Sequence, residues 1–203
     1  MLLLFVGCAK EEGNGFLRYS FTSDNANSGF LNFNSGYFTV KQANFTGNIK
    51  GVASSSYNLL VTNKVKIISS SREIGNEEIP VGKYQNVSIS FKIGQNQANL
   101  DPGLSLTGEF TDNSNQKIPI QLNFSEEFTS TLSFSEKVTF QTDQKTTAVV
   151  SLDVQTLFST ITKTELTNAV RVNGAIIIAV DPNFELYQKV QAQLPKSLEL
   201  SFR

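Results

Sequence analysis

From Ile79 to Ile93 the chain reads Ile-Pro-Val-Gly-Lys-Tyr-Gln-Asn-Val-Ser-Ile-Ser-Phe-Lys-Ile, and this stretch restricts the fold more than any other. Pro80 and Gly82 mark a turn, and beyond it Val87, Ile89, Phe91 and Ile93 take every second position, the period of a strand with one buried face. The pattern recurs along most of the chain. Gly15 to Thr22 sets Leu17, Tyr19 and Phe21 against Phe16, Arg18, Ser20 and Thr22, and the polar run Ser23 to Gly29 reads as a loop. Phe30 to Phe33 and Tyr37 to Ile49, separated by Asn34-Ser35-Gly36, read as a hairpin, and the β-branched run Tyr57 to Ile68 as a further strand. Leu104 to Phe110 and Lys117 to Phe124 form a second hairpin across Asp112-Asn113-Ser114-Asn115, opposing Leu104, Leu106 and Phe110 to Ile118, Ile120, Leu122 and Phe124. Phe128 to Phe134 and Thr146 to Leu152 add two strands.

Many short strands with no regular helices between them predict a mainly β fold, an antiparallel β-sandwich. Helical signals are confined to the C-terminal third. Asp153 caps a short stretch through Phe158, and Thr162-Lys163-Thr164-Glu165 has capping-box spacing before Leu166. Asn173-Gly174 turns into a strand, Ala175 to Val180. Asp181-Pro182 reads as a cap with proline at the first helical position, after which Phe184, Tyr187, Val190 and Leu194 recur at helical spacing until Pro195. Ser197 to Phe202 alternates again, and this tail is expected to pack on the end or edge of the sandwich.

Composition excludes several function classes. Seventeen basic and eighteen acidic residues give a net charge of −1, no field to steer a nucleic acid. There is no histidine, hence no imidazole base, imidazole metal ligand or near-neutral imidazole switch. A single cysteine allows neither an internal disulfide nor a thiolate cluster.

That cysteine, Cys8, follows Leu2 to Val6 and Gly7. The apolar run is far shorter than the roughly 20 residues a membrane helix needs. A small residue before a cysteine instead suits a peptidase with a narrow subsite and a thiol that accepts diacylglycerol. Phe5-Val6-Gly7-Cys8 resembles a lipobox, with Phe5 where leucine is usual. Cys8 is then the lipidated first residue of the mature protein. Because the run is short and no basic residue precedes it, a basic segment is expected upstream of Met1. Lys10-Glu11-Glu12 resembles the lysine-acid-acid signal that exports Bacteroidetes lipoproteins to the outer face of the outer membrane; the alternative is a charged tether on a periplasmic protein. The chain thus divides into a truncated signal (1–7), a lipidated tether (8–14) and a single sandwich domain with C-terminal helical additions (15–203).

The lipobox, the Ile-Pro-x-Gly-x-Tyr start of a strand at Ile79 to Tyr84, the Ile118-Pro119-Ile120 strand and the Asp153 to Tyr187 region together resemble uncharacterised Bacteroidetes outer-membrane lipoproteins. The likeness implies a prealbumin-like or immunoglobulin-like β-sandwich at the cell envelope. It brings no catalytic residues.

Candidate chemistry is sparse. No serine sits in a Gly-x-Ser-x-Gly elbow. The doublets Glu11-Glu12, Glu77-Glu78 and Glu126-Glu127 offer paired carboxylates, but neighbours on a strand point to opposite faces, so solvated turns or tethers are the expected setting. Asp24, Asn25, Asn27, Asp101, Asp112, Asn113 and Asn115 offer oxygen ligands without the spacing of a calcium loop, and turn formation explains them equally. Tyr19, Tyr37, Tyr57 and Tyr84 are candidates for a glycan platform, although strand tyrosines more often bury the ring. The expectation is a non-catalytic protein without cofactor or metal, anchored to the membrane through Cys8 and binding a glycan or another envelope protein. An adhesin or fimbrial assembly subunit is the alternative, and a carbohydrate hydrolase a third reading.

Overall fold

The computed structural model describes residues 13–49, 55–68 and 72–203. In chain order it runs β1 (Asn14–Asn25), β2 (Asn27–Ser28), β3 (Leu31–Ile49), β4 (Ser55–Lys66), β5 (Arg72–Pro80), β6 (Gly82–Ile93), β7 (Leu104–Thr111) and β8 (Lys117–Phe124). Then follow β9 (Phe128–Phe134), β10 (Val138–Phe140), β11 (Lys145–Asp153), α1 (Val154–Leu157), α2 (Lys163–Asn168), β12 (Arg171–Val172), β13 (Ala175–Ile178), α3 (Phe184–Gln193), a 3-10 turn and β14 (Leu198–Phe202). The fold is mainly β.

A four-stranded sheet has the order β14-β11-β1-β5, and a ten-stranded one β10-β6-β3-β7-β8-β13-β12, with β2 and β4 added on β3 and β9 on β6. One apolar cluster, from Leu17 to Leu198, is shared by both. Phe21 of the small sheet meets Phe38 and Phe91 of the large one edge-to-face, at 5.9 and 5.6 Å between centroids. Phe45, Tyr84 and Phe140 form a second edge-to-face group, and the Tyr84 hydroxyl donates to the Pro80 carbonyl at 3.0 Å. Such ring pairs add to area burial because ring edges and faces carry opposite partial charge.

The alternation places the core as expected: Leu17, Tyr19 and Phe21, then Val87, Ile89, Phe91 and Ile93, then Leu104, Leu106, Phe110, Ile118, Ile120, Leu122 and Phe124 are all buried. Pairing is not antiparallel throughout. β1 runs parallel to β11 and β13 parallel to β8. Alternation fixes which face is buried and carries no information on the direction of the neighbouring strand.

Three local expectations are corrected. The hairpin expected at Asn34-Ser35-Gly36 is one continuous strand, β3, irregular between Phe33 and Ser35. Gly36 serves packing there, because a Cβ would lie 2.6 Å from Leu106 Cδ2. β3 also changes partner, pairing with β7 over Leu31–Phe38 and with β6 from Val40 to Ile49, which lets the sheet curl. The loop expected over Ser23 to Gly29 is largely strand, since β1 continues to Asn25 and Asn27–Ser28 form β2, leaving a turn at Gly29 and Phe30. Asp181-Pro182 is a cis peptide rather than a helix start; α3 begins at Phe184 behind Asn183.

The tail packs as an edge layer. Asp153 caps α1 by accepting from the Gln155 amide at 2.9 Å, and the Thr162–Glu165 capping box is complete on α2. Asn173 and Gly174 both have positive φ, the geometry of a two-residue hairpin turn. α3 buries Leu186, Tyr187 and Val190, with Tyr187 stacked on Phe124 at 5.4 Å, and β14 pairs with β11.

Candidate functional site

Strand alternation that buries Ala43, Phe45, Ile89, Phe91 and Ser130 turns the intervening residues of β3, β6 and β9 outward. The register then sets them side by side. Gln42 is opposite Lys92 and Lys92 opposite Thr129; Asn44 is opposite Ser90 and Ser90 opposite Thr131; Thr46 is opposite Ser88 and Ser88 opposite Ser133. On the other flank of β3, Asn44 faces Asn58 and Thr46 faces Ser56 of β4. The result is a sheet face of amides and hydroxyls in which, among the described residues, Lys92 is the one charged member.

The face is ordered by its own hydrogen bonds. Gln42 Nε2 donates to Asn58 Oδ1 at 2.9 Å, and Ser56 Oγ donates to Asn44 Oδ1 at 2.9 Å. At its end Glu127 takes Lys92 Nζ at 2.6 Å and Lys41 Nζ at 3.4 Å. The hydrogen bond from Lys92, with a smaller one from Lys41, holds the exposed Glu127 carboxyl below the usual range. A cleft of about 270 Å³ is lined by Gln42, Asn44, Ser90, Phe91, Lys92 and Thr129. A second, of about 410 Å³, is lined by Asn86, Val87, Ser88, Ser133, Phe134 and Ser135. Chemically this surface offers directed donors and acceptors and little charge.

Of the described residues singled out from the sequence, Glu127 touches this face at its end, and Tyr57 of the bordering β4 lies on the core side, opposite Phe45. Cys8, Phe5, Val6, Gly7, Lys10, Glu11 and Glu12 lie outside the described residues. Tyr19 and Tyr84 are fully buried, so they form no platform. The Tyr37 ring is covered by Lys64 Nζ at 3.8 Å from its centroid. Tyr57 is half-buried against Phe45. The signal that finds the face is the run of polar residues at alternate positions in three strands; their adjacency appears only with the register.

The carboxylate doublets separate. Glu77 and Glu78 sit within β5 and not in a turn. Glu77 accepts from the buried Tyr19 hydroxyl at 3.1 Å, while Glu78 accepts from Asn14 Nδ2 at 3.0 Å. Burial pushes the Glu77 carboxyl up, partly offset by the Tyr19 hydrogen bond, and burial with Glu77 nearby pushes the Tyr19 hydroxyl far up. Glu126 does lie in a turn, where it accepts from Gln191, and Glu127 turns to the lysines. Among the proposed oxygen ligands, Asp112 Oδ1 accepts the Ser114 and Gln116 amides, both at 2.8 Å, and Asp101 pairs with Lys64 at 3.1 Å. Among the described residues no three acidic or thiol side chains converge as metal ligands.

A separate cleft of about 380 Å³ lies between α2 and α3, lined by residues that include Glu165, Asn168, Val170, Asn183 and Phe184. Glu165 pairs with Lys189; this hydrogen bond first, and those from Thr162 next, hold its carboxyl down at about 2. Val170 is 59% and Phe184 50% exposed, leaving an apolar patch beside the edge strand β12.

Comparison with known proteins adds no relative: no family model matches the chain, and neither the curated proteins nor the solved structures searched contain a match.

Proposed function

We propose that this chain is a lipid-anchored, non-catalytic protein of the cell envelope that binds glycan on the outer face of β4, β3, β6 and β9. The observation that carries the reading is the ordered array of amides and hydroxyls at Gln42, Asn44, Ser88, Ser90, Thr129 and Thr131. Sugars present the complementary hydroxyls, and recognition by neutral hydrogen bonds needs oriented partners that cost little to order. The lipobox Phe5-Val6-Gly7-Cys8 supplies the address, and Lys10-Glu11-Glu12 supports the cell surface over the periplasm. We read the two sheets around one core as a β-sandwich of the prealbumin or immunoglobulin kind, altered by two parallel pairs.

Mass spectrometry of protein extracted from membranes is expected to show diacylglycerol on Cys8; a product that retains Leu2 to Gly7 refutes the anchor. On a glycan array the full chain is expected to bind, and Asn44→Lys to lose binding while keeping its thermal midpoint. Equal array profiles for the two proteins refute the assignment of the face. The second reading, an assembly subunit, is favoured by the exposed Val170 and Phe184 beside β12. It requires Phe184→Asp to abolish a self-associated species in sedimentation.

A further inference from the structure

We infer that the ligand of this face is an extended, uncharged glycan chain lying along the β6 and β9 strands, rather than a terminal sugar or a peptide strand. This rests on the glycan reading above and specifies the ligand's shape, charge and direction.

Direction follows from where the small side chains fall. Ser88 and Ser90 of β6 are opposite Ser133 and Thr131 of β9, a row of short side chains, and on the β3 flank of Ser90 stands the longer Asn44. The two clefts lie at the two ends of this row, one taking in Lys92 and Thr129, the other Asn86, Ser88, Ser133 and Ser135. From Asn86 to Lys92 a strand spans about 20 Å. That is a track and not a pit, and a ligand that uses both clefts must be a polymer threaded along it.

Backbone pairing of a peptide to β6 is excluded by topology. A peptide that adds to a sheet needs a free edge. β6 has β3 on one side and β9 and β10 on the other, so its main-chain groups are taken and only side chains face the ligand. The charge argument is equally local. Among the described residues of the array Lys92 is the sole cation, and Glu127 already pairs with it and with the neighbouring Lys41. An anionic chain finds no free cation along the serine and threonine row.

The test is calorimetric titration of the full chain in mild detergent with neutral linear oligosaccharides, gluco-, xylo- and manno-configured, from disaccharide to octasaccharide, beside oligogalacturonates of the same lengths. Affinity for at least one neutral series is expected to rise tenfold or more with length and to level off once the chain spans the track. Ser90→Arg, in the middle of the row, is expected to erase that gain, while Thr107→Arg, exposed on β7, leaves it unchanged; urea midpoints of both variants check the fold. Length-independent affinity that is still lost in Asn44→Lys overturns the extended chain and leaves the glycan face standing. Tighter binding of the oligogalacturonates overturns the charge assignment. No binding by any series overturns both this inference and the glycan reading.

Discussion

Asn183 holds the C-terminal layer together through three hydrogen bonds, and its replacement separates two physical effects. Its Oδ1 accepts the Val170 amide at 2.8 Å, and its Nδ2 donates to the carbonyls of Val170 at 2.9 Å and Ile177 at 2.8 Å. The backbone is left-handed, with φ 67° and ψ 45°. The two bonds to Val170 are exposed, and water replaces them at a cost of roughly 0.5 kcal/mol each, whereas the part-buried bond to Ile177 is worth about 1 to 1.5 kcal/mol. Asn183→Gly, which tolerates the left-handed backbone, is therefore expected to cost about 2 kcal/mol. Asn183→Ala is expected to fall about 1 kcal/mol below the glycine variant, because its Cβ disfavours that region without asparagine's local hydrogen bonding to compensate, giving about 3 kcal/mol. Asn183→Asp keeps the acceptor and loses both donors, and falls near the glycine variant. Urea unfolding at neutral pH measures all three, and hydrogen exchange at the Val170 amide should quicken in the first two and not in the third. If alanine and glycine cost the same, the backbone argument is wrong; if glycine costs under about 0.5 kcal/mol, the hydrogen bonds contribute nothing.

Gly108→Ala places a Cβ 2.1 Å from the Asn32 carbonyl oxygen and 2.6 Å from Phe33 Cα, so β3 and β7 must part; urea unfolding should show a loss of about 3 kcal/mol or more. Glu77 has a raised carboxyl pKa in the folded state, so its contribution is full below its unfolded value of about 4.5 and is lost as pH rises through the folded one. Glu77→Gln is therefore expected to gain on the wild type in urea midpoint between pH 4 and 8, and a constant difference across that range contradicts the assignment. Glu165, held at about 2, contributes above pH 4.5 and loses that contribution as pH falls towards 2. Because both partners are more than a third exposed, solvent screening limits the pair with Lys189 to roughly 0.5 to 1 kcal/mol, and Glu165→Gln should flatten the acid limb of stability by that amount.

What could be read from the sequence was what depends on near neighbours. Alternation in Leu17, Tyr19 and Phe21, and in Val87 to Ile93, named the buried faces because a strand's period is independent of its partners. The caps at Asp153 and at Thr162–Glu165 were legible because donor and acceptor lie within three residues. The Asn34-Ser35-Gly36 run misled because its turn composition is used for a bulge and for close packing against Leu106. Asp181-Pro182 misled because the same pair that starts many helices here precedes a left-handed Asn183. The polar face was invisible for a different reason: Gln42, Ser90 and Thr131 lie on three strands, and only long-range register brings their rows together.

The parallel pairing of β1 with β11 has a consequence for how the chain matures. Ser23 reaches the Leu152 carbonyl across 129 residues of sequence, and β1 is an inner strand with β5 on its other side. Closing so long a loop costs entropy before any contact rewards it, which slows folding and postpones completion of the small sheet. During synthesis β1 emerges first and must wait, unpaired on that side, until β11 follows.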